Sequence, residues 1–142
     1  MKFTSKKDPF FSVLILGSVA FLFGFPVLGI IFGWFDQSNF WVVIPFSAII
    51  FLLLWIYFGT SYELTETELI YRSGPLRGKI EINQIREIRK GKTLYAGLKP
   101  ATSRRGLIIK YRKFDEIYIS PNTNESFIEE LLTRNENIVI SE

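Results

Sequence analysis

Between Phe10 and Phe58 the chain holds a single charged residue, Asp36. It separates two apolar runs, Phe10–Gly33 and Phe40–Phe58, and each has the length a helix needs to cross the roughly 30 Å hydrocarbon core of a bilayer. Sixteen Phe, Ile, Leu and Val residues in the first run and thirteen in the second favour insertion by roughly 5–10 and 4–8 kcal/mol. The expectation is a transmembrane hairpin over residues 1–59, with helices at about 9–34 and 39–58, and one soluble domain over residues 60–142. A cleaved signal peptide fits less well. The first run stays bulky through Phe21, Phe23, Phe25 and Phe32, and no small-x-small cleavage pattern precedes the second.

Lys2, Lys6 and Lys7 precede the first run as a short basic arm, and Asp8-Pro9 reads as a helix start, with Asp at the N-cap and Pro at the first helical position. Pro26 predicts a kink. Trp34, Phe35, Phe40 and Trp41 bracket a polar turn, Asp36–Asn39, in which Asn39 is placed to cap the second helix. That turn carries no Lys or Arg, whereas Lys2, Lys6 and Lys7 lie before the hairpin and Arg72, Arg77 and Lys79 after it. The positive-inside rule then puts both termini on the cytoplasmic side of the inner membrane. No charged residue lies within either run, so a two-helix transporter is not the expectation. Ala20 and Gly24, and again Gly29 and Gly33, are four apart, a spacing that lets helix backbones approach closely. This face is expected to pack on the second helix of the same chain; the alternative is another membrane helix, from a second copy or a different protein.

After Gly59 the apolar period changes from helical to alternating. Ser61–Thr65, Glu68–Arg72 and Lys79–Ile82 read as strands, with Ser73-Gly74-Pro75 as a turn, and Ile85–Lys90 continues as a strand. Residues 91–106 read as a long loop, followed by a hairpin of Leu107–Tyr111 and Glu116–Ile119. Asn122 and Glu125 have capping-box spacing before a stripe of Phe127, Ile128, Leu131 and Leu132, and Asn137–Ile140 reads as a brief edge strand. Strands followed by one amphipathic helix indicate an α+β domain.

There is no Cys and no His. Disulfides, thiol nucleophiles, Cys-ligated metals, and Ser-His or Cys-His catalysis are thereby excluded, and no cofactor-binding constellation is present. Asp115-Glu116 and Glu129-Glu130 are sequence neighbours whose side chains point apart on a strand or helix, so they do not pair for acid–base work. The chain reads as non-enzymatic. From Arg72 to Lys113 there are thirteen basic residues against Glu81 and Glu87, an excess hidden by the formal net charge of +3. Arg72, Arg77, Lys79, Arg86, Arg89, Lys90, Arg104 and Arg105 are the candidates for contact with an anionic surface, since each Lys or Arg near an anionic leaflet adds about 1 kcal/mol. With only Tyr95 and Tyr111 available for stacking in this stretch, nucleic acid is not the expected partner.

Tyr62-x-Leu64-Thr65 with Leu69-Ile70, Ile80-x-Ile82, Ile85-x-x-Ile88, Ser103-x-x-Gly106-Leu107, and Ile119-Ser120-Pro121 with Phe127–Leu132 resemble the bacterial pleckstrin-homology-like family over residues 60–140. The resemblance implies a bent antiparallel sheet of about seven strands closed by a C-terminal helix. It further implies a non-enzymatic module that binds a protein partner or a membrane surface, with self-immunity against a bacteriocin as the alternative role. Lipid-binding eukaryotic relatives hold a headgroup around an early hairpin, a position that Arg72, Arg77 and Lys79 partly reproduce here.

Overall fold

The computed structural model describes residues Met1–Glu142. Helix α1 spans Pro9–Ile31 and α2 spans Val43–Gly59. Asp8 caps α1, its Oδ1 accepting from the backbone N–H of Phe10 at 2.6 Å and of Phe11 at 3.2 Å. The helix runs unbroken through Pro26 and ends in a Schellman turn: Gly33 has φ +70°, its N–H donates to Ile30, and the N–H of Trp34 donates to Gly29. It is therefore a few residues shorter than the apolar run suggests. Asp36 organises the connection, accepting from the N–H of Ser38 at 2.9 Å and of Asn39 at 3.2 Å. The predicted Asn39 cap does not form, because a 3₁₀ turn over Phe40–Val42 precedes α2 and the Asn39 side chain bonds nothing there.

The soluble part holds two four-stranded sheets. In the first, β1 (Lys2–Thr4), β2 (Ser61–Leu64), β3 (Glu68–Ser73) and β4 (Leu76–Glu81) run antiparallel in that order. The second has the order β7-β6-β5-β8, built from β5 (Ile85–Lys90), β6 (Leu107–Tyr111), β7 (Asp115–Ile119) and β8 (Val139–Ser141). Its strands are antiparallel except β8, which lies parallel to β5 at the edge. Helix α3 (Asn124–Arg134) buries Phe127, Ile128 and Leu131 between the sheets. The arrangement is the expected α+β architecture, with eight strands where the resemblance implied about seven.

The additional strand is the basic arm. Residues Lys2–Thr4 are not a loose prelude to α1: Phe3 pairs with Tyr62 and is buried, and its ring meets Phe127 edge-on at 5.1 Å. The polypeptide thus enters the domain, leaves it for both long helices, and returns. At the other end the predicted capping box is not made. Thr123 is the N-cap, one residue later than the sequence suggests, so Glu125 falls a position short and pairs instead with Lys90 at 2.7 Å.

Candidate functional site

Both long helices join the sandwich at one end. Only Thr60 separates α2 from β2, and its Oγ1 donates to the Ile56 carbonyl at 2.6 Å and lies 2.9 Å from the Ser73 hydroxyl. The turn between β3 and β4 touches α2 directly. Gly74 has φ +58°, and a Cβ there would fall 2.7 Å from Ile56 Cγ1, so the turn requires a glycine on two counts. Across the helix pair, the hydroxyls of Ser12 and Tyr57 are 2.7 Å apart, and Lys7 Nζ sits 4.7 Å and 4.5 Å above the rings of Tyr57 and Phe58.

The start of α1 is fastened by a buried set of hydroxyls. Ser5 Oγ lies 2.8 Å from Thr102 Oγ1, 2.9 Å from Ser120 Oγ and 3.3 Å from the Tyr62 hydroxyl. Tyr62 donates to the Pro100 carbonyl and accepts from the Ser120 N–H, while Thr102 donates to the Lys6 carbonyl. Tyr118 repeats the pattern, donating to the Ser103 carbonyl at 2.7 Å and accepting from the Gly106 N–H at 2.8 Å. Burial raises both phenol pKa values, so the two hydroxyls keep their protons across ordinary pH. Every buried side-chain polar atom has a partner, which makes this network a fastening for the 91–106 loop rather than a reactive centre.

Asp8 completes the fastening. Its Oδ1 caps α1, and its Oδ2 accepts from the Arg104 backbone N–H at 3.1 Å and from Arg104 Nε at 3.0 Å. Burial pushes this carboxyl up, but the bonds from Arg104, Phe11 and Phe10 outweigh burial and bring it down to about 2. The Arg104 guanidinium also lies 4.5 Å over the ring of Phe10, in the first turn of α1. Beside it opens a cleft of about 500 Å³ lined by Lys6, Lys7, Asp8, Pro9, Thr93, Tyr95, Ser103, Arg104 and Arg105. The residue types and the single carboxylate make it strongly cationic.

The predicted basic candidates do not form one face. Arg104 and Arg105 line this cleft, and Arg72 and Arg77 face each other across β3 and β4 close to the helix-joining end, without an acidic partner. Lys79, Arg89 and Lys90 are occupied in ion pairs with Glu68, Glu87 and Glu125. Arg86 lies at the opposite end of β5, where its Nη2 donates to the Lys113 carbonyl at 2.8 Å. Alternation along a strand explains the dispersal: consecutive residues point to opposite faces, and the ends of a strand lie at opposite ends of the sheet.

The small-residue face also divides. Gly29 is buried, but under Phe35, whose ring would lie 2.2 Å from an added Cβ, and Gly33 serves the Schellman turn. Ala20 is exposed and Gly24 has nothing within 4 Å of where a Cβ would sit, so neither packs against α2 as expected. Contact between the helices comes instead from larger groups, including Phe25 stacked on Phe46 at 5.9 Å. Sequence reading passed over Lys6, Lys7, Asp8, Thr93 and Tyr95 as site residues. The flanking lysines and the second oxygen of Asp8 were visible, but the partner 96 residues away was not.

No cluster of three or more acidic side chains capable of holding a metal is present. No solved structure matches the chain. An uncharacterised protein of Bacillus subtilis strain 168, YyaB, is 25% identical over 141 residues, covering 99% of this chain and 97% of that protein. The bacterial PH domain family matches residues 60–135, from the last residue before β2 to the end of α3. With three strands of each sheet and the closing helix inside that span, the chain belongs to the bacterial PH domain family.

Proposed function

We propose that this is a two-pass protein of the cytoplasmic membrane, with both termini cytoplasmic, whose PH-like domain is a non-enzymatic module held at a fixed orientation against the anionic inner leaflet. The observation that carries this reading is the lack of any linker. One residue joins α2 to β2, and Lys6 already bonds Ser120 while Pro9 already belongs to α1. Two helical stretches, α1 with 23 residues and the 3₁₀ turn together with α2 with 20, each with mean hydropathy 2.4, are long and apolar enough to cross a bilayer. The cleft at the start of α1 holds Lys6, Lys7, Arg104 and Arg105, charges that suit anionic headgroups. A domain so joined cannot turn another side to the leaflet.

The test uses the full-length chain in nanodiscs of neutral phosphatidylcholine or of phosphatidylcholine with phosphatidylglycerol. Amide exchange across residues 91–106 is expected to slow on the anionic bilayer, and that slowing is expected to vanish with raised salt. Equal exchange on the two bilayers would refute the orientation. A second reading, binding of another membrane helix or a second copy, is favoured by the unburied Ala20 and Gly24, and cross-linking through Ala20→Cys in native membranes tests it.

A further inference from the structure

The cationic cleft adjoins the first turn of α1, whose outer face continues as apolar helix surface. Positions 10, 14, 17 and 21 share one face of α1. At the top of that face the Phe10 ring lies under the Arg104 guanidinium, at the mouth of the cleft. Below it, Val13, Leu14, Gly17, Ser18, Phe21 and Leu22 line a shallow groove, wide open to the outside. Gly17 forms its floor, with nothing within 4 Å of where a Cβ would sit. Polar and apolar parts thus follow one another along a single face in the order of a phospholipid: charge, interface, hydrocarbon.

The charges favour an anion. Asp8 is engaged by Arg104 and by the cap of α1, and Arg104 Nε is its ion-pair partner. Lys6 and Arg105 make no ion pair and no side-chain hydrogen bond within the protein, and Glu125, the acidic group whose charge reaches Lys6, is itself paired with Lys90. Arg105 is held in place nevertheless: its backbone takes φ +55°, its N–H donates to Thr93 Oγ1 at 3.3 Å, and its carbonyl accepts from Asn124. A left-handed residue fixed on both sides thus leaves an unpaired guanidinium at the edge of the cleft. The Tyr95 hydroxyl lines the same cleft as a further donor.

We propose that the cleft and the α1 groove bind one anionic phospholipid, its phosphodiester held by Lys6 and Arg105 and one acyl chain laid over Gly17. This rests on the leaflet-facing reading above but asks more than proximity. It requires one site, with selectivity for a lipid with a net negative headgroup.

Native mass spectrometry of the full-length protein in detergent, titrated with phosphatidylglycerol, reads the site directly. One tightly retained lipid is expected, with phosphatidylcholine held more weakly. Lys6→Gln with Arg105→Gln is expected to weaken retention by about tenfold or more, because charge-assisted bonds to phosphate are lost. Gly17→Leu, which leaves every charge in place, is expected to weaken it several-fold by filling the groove. Arg86→Gln with Lys113→Gln removes the same charge at the far end of the sandwich and is expected to change nothing. Equal loss in that control would overturn the site in favour of general attraction. Retention unaffected by Gly17→Leu, or displacement by millimolar inorganic phosphate, would overturn the lipid as occupant. Slowed exchange of the 91–106 loop on anionic nanodiscs without selective retention would overturn this inference and leave the fixed orientation standing; failure of both would remove the orientation as well.

Discussion

The two halves of the molecule use apolar residues in opposite ways. In the sandwich, Leu69, Ile88, Leu107, Ile109, Ile117 and Ile119 are fully enclosed and the sheet surfaces are left to charge. In the helices the large side chains point outward: Phe21, Phe23, Ile31, Phe51 and Phe58 each keep about two-thirds of their surface open, and few residues of either helix are buried. Water would drive such a surface to aggregate, whereas hydrocarbon is indifferent to it. The sandwich therefore draws its stability from exclusion of water, a source that the outward-facing side chains of the two helices do not share.

That contrast is most easily broken inside the sandwich. Phe127 is fully enclosed and meets both Phe3 and Tyr62 edge-on, so Phe127→Ala is expected to destabilise the domain by roughly 3–5 kcal/mol, while Phe51→Ala on the outer face of α2 leaves its unfolding unchanged. Near-ultraviolet circular dichroism of the detergent-solubilised chain against denaturant measures both. Comparable losses would show that the helices carry a water-excluding core of their own. Phe3→Ala comes next, at about 3 kcal/mol, although Phe3 lies in what the sequence presents as an anchor's leading arm. A fragment beginning at Thr60 would lack β1 altogether and is expected to unfold without a sharp transition.

Within the hairpin, effects concentrate where backbone geometry is demanding. Gly33→Ala meets φ +70° and is expected to cost about 1–2 kcal/mol of hairpin stability, whereas Gly24→Ala, with open space around it, is neutral for the isolated chain. Steric trapping of the hairpin in bicelles distinguishes the two. If Gly24→Ala instead lowered the population of a cross-linked dimer, the small-residue face would belong to an interface between chains.

Legibility in the sequence followed the range of the signal. Periodicity over neighbouring residues located both long helices, the strands from β2 to β8 and α3, because each depends on residues a few positions apart. What it missed depends on distant partners. Lys2–Thr4 is too short and too charged to declare itself a strand, and only its register against Glu63, Tyr62 and Ser61 makes it one. The basic candidates cluster along the sequence, yet the fold sends Arg86 to one end and Arg104 and Arg105 to the other. Gly29 and Gly33 obey a helix-packing spacing by coincidence of position: one yields to Phe35 and the other ends the helix.

Asp8 ties the two halves together, and its titration sharpens the comparison at the smallest scale. Its carboxyl titrates near 2 in the folded chain against about 3.9 unfolded, so the stabilisation it provides is complete above pH ~4 and is lost as pH falls through 2. Asp8→Asn preserves an oxygen for the α1 cap and removes the charge facing Arg104, whose side chain is half exposed, so the expected loss at neutral pH is only about 1 kcal/mol. Because Asn does not titrate, the difference between the two proteins should shrink steadily from pH 4 downward and close near pH 2. A difference that stayed constant over that range would mean that Asp8 acts through its shape at the head of α1 and not through its charge. The junction would then be a geometric splice between two independently stabilised halves, without the electrostatic latch that the Asp8–Arg104 contact supplies.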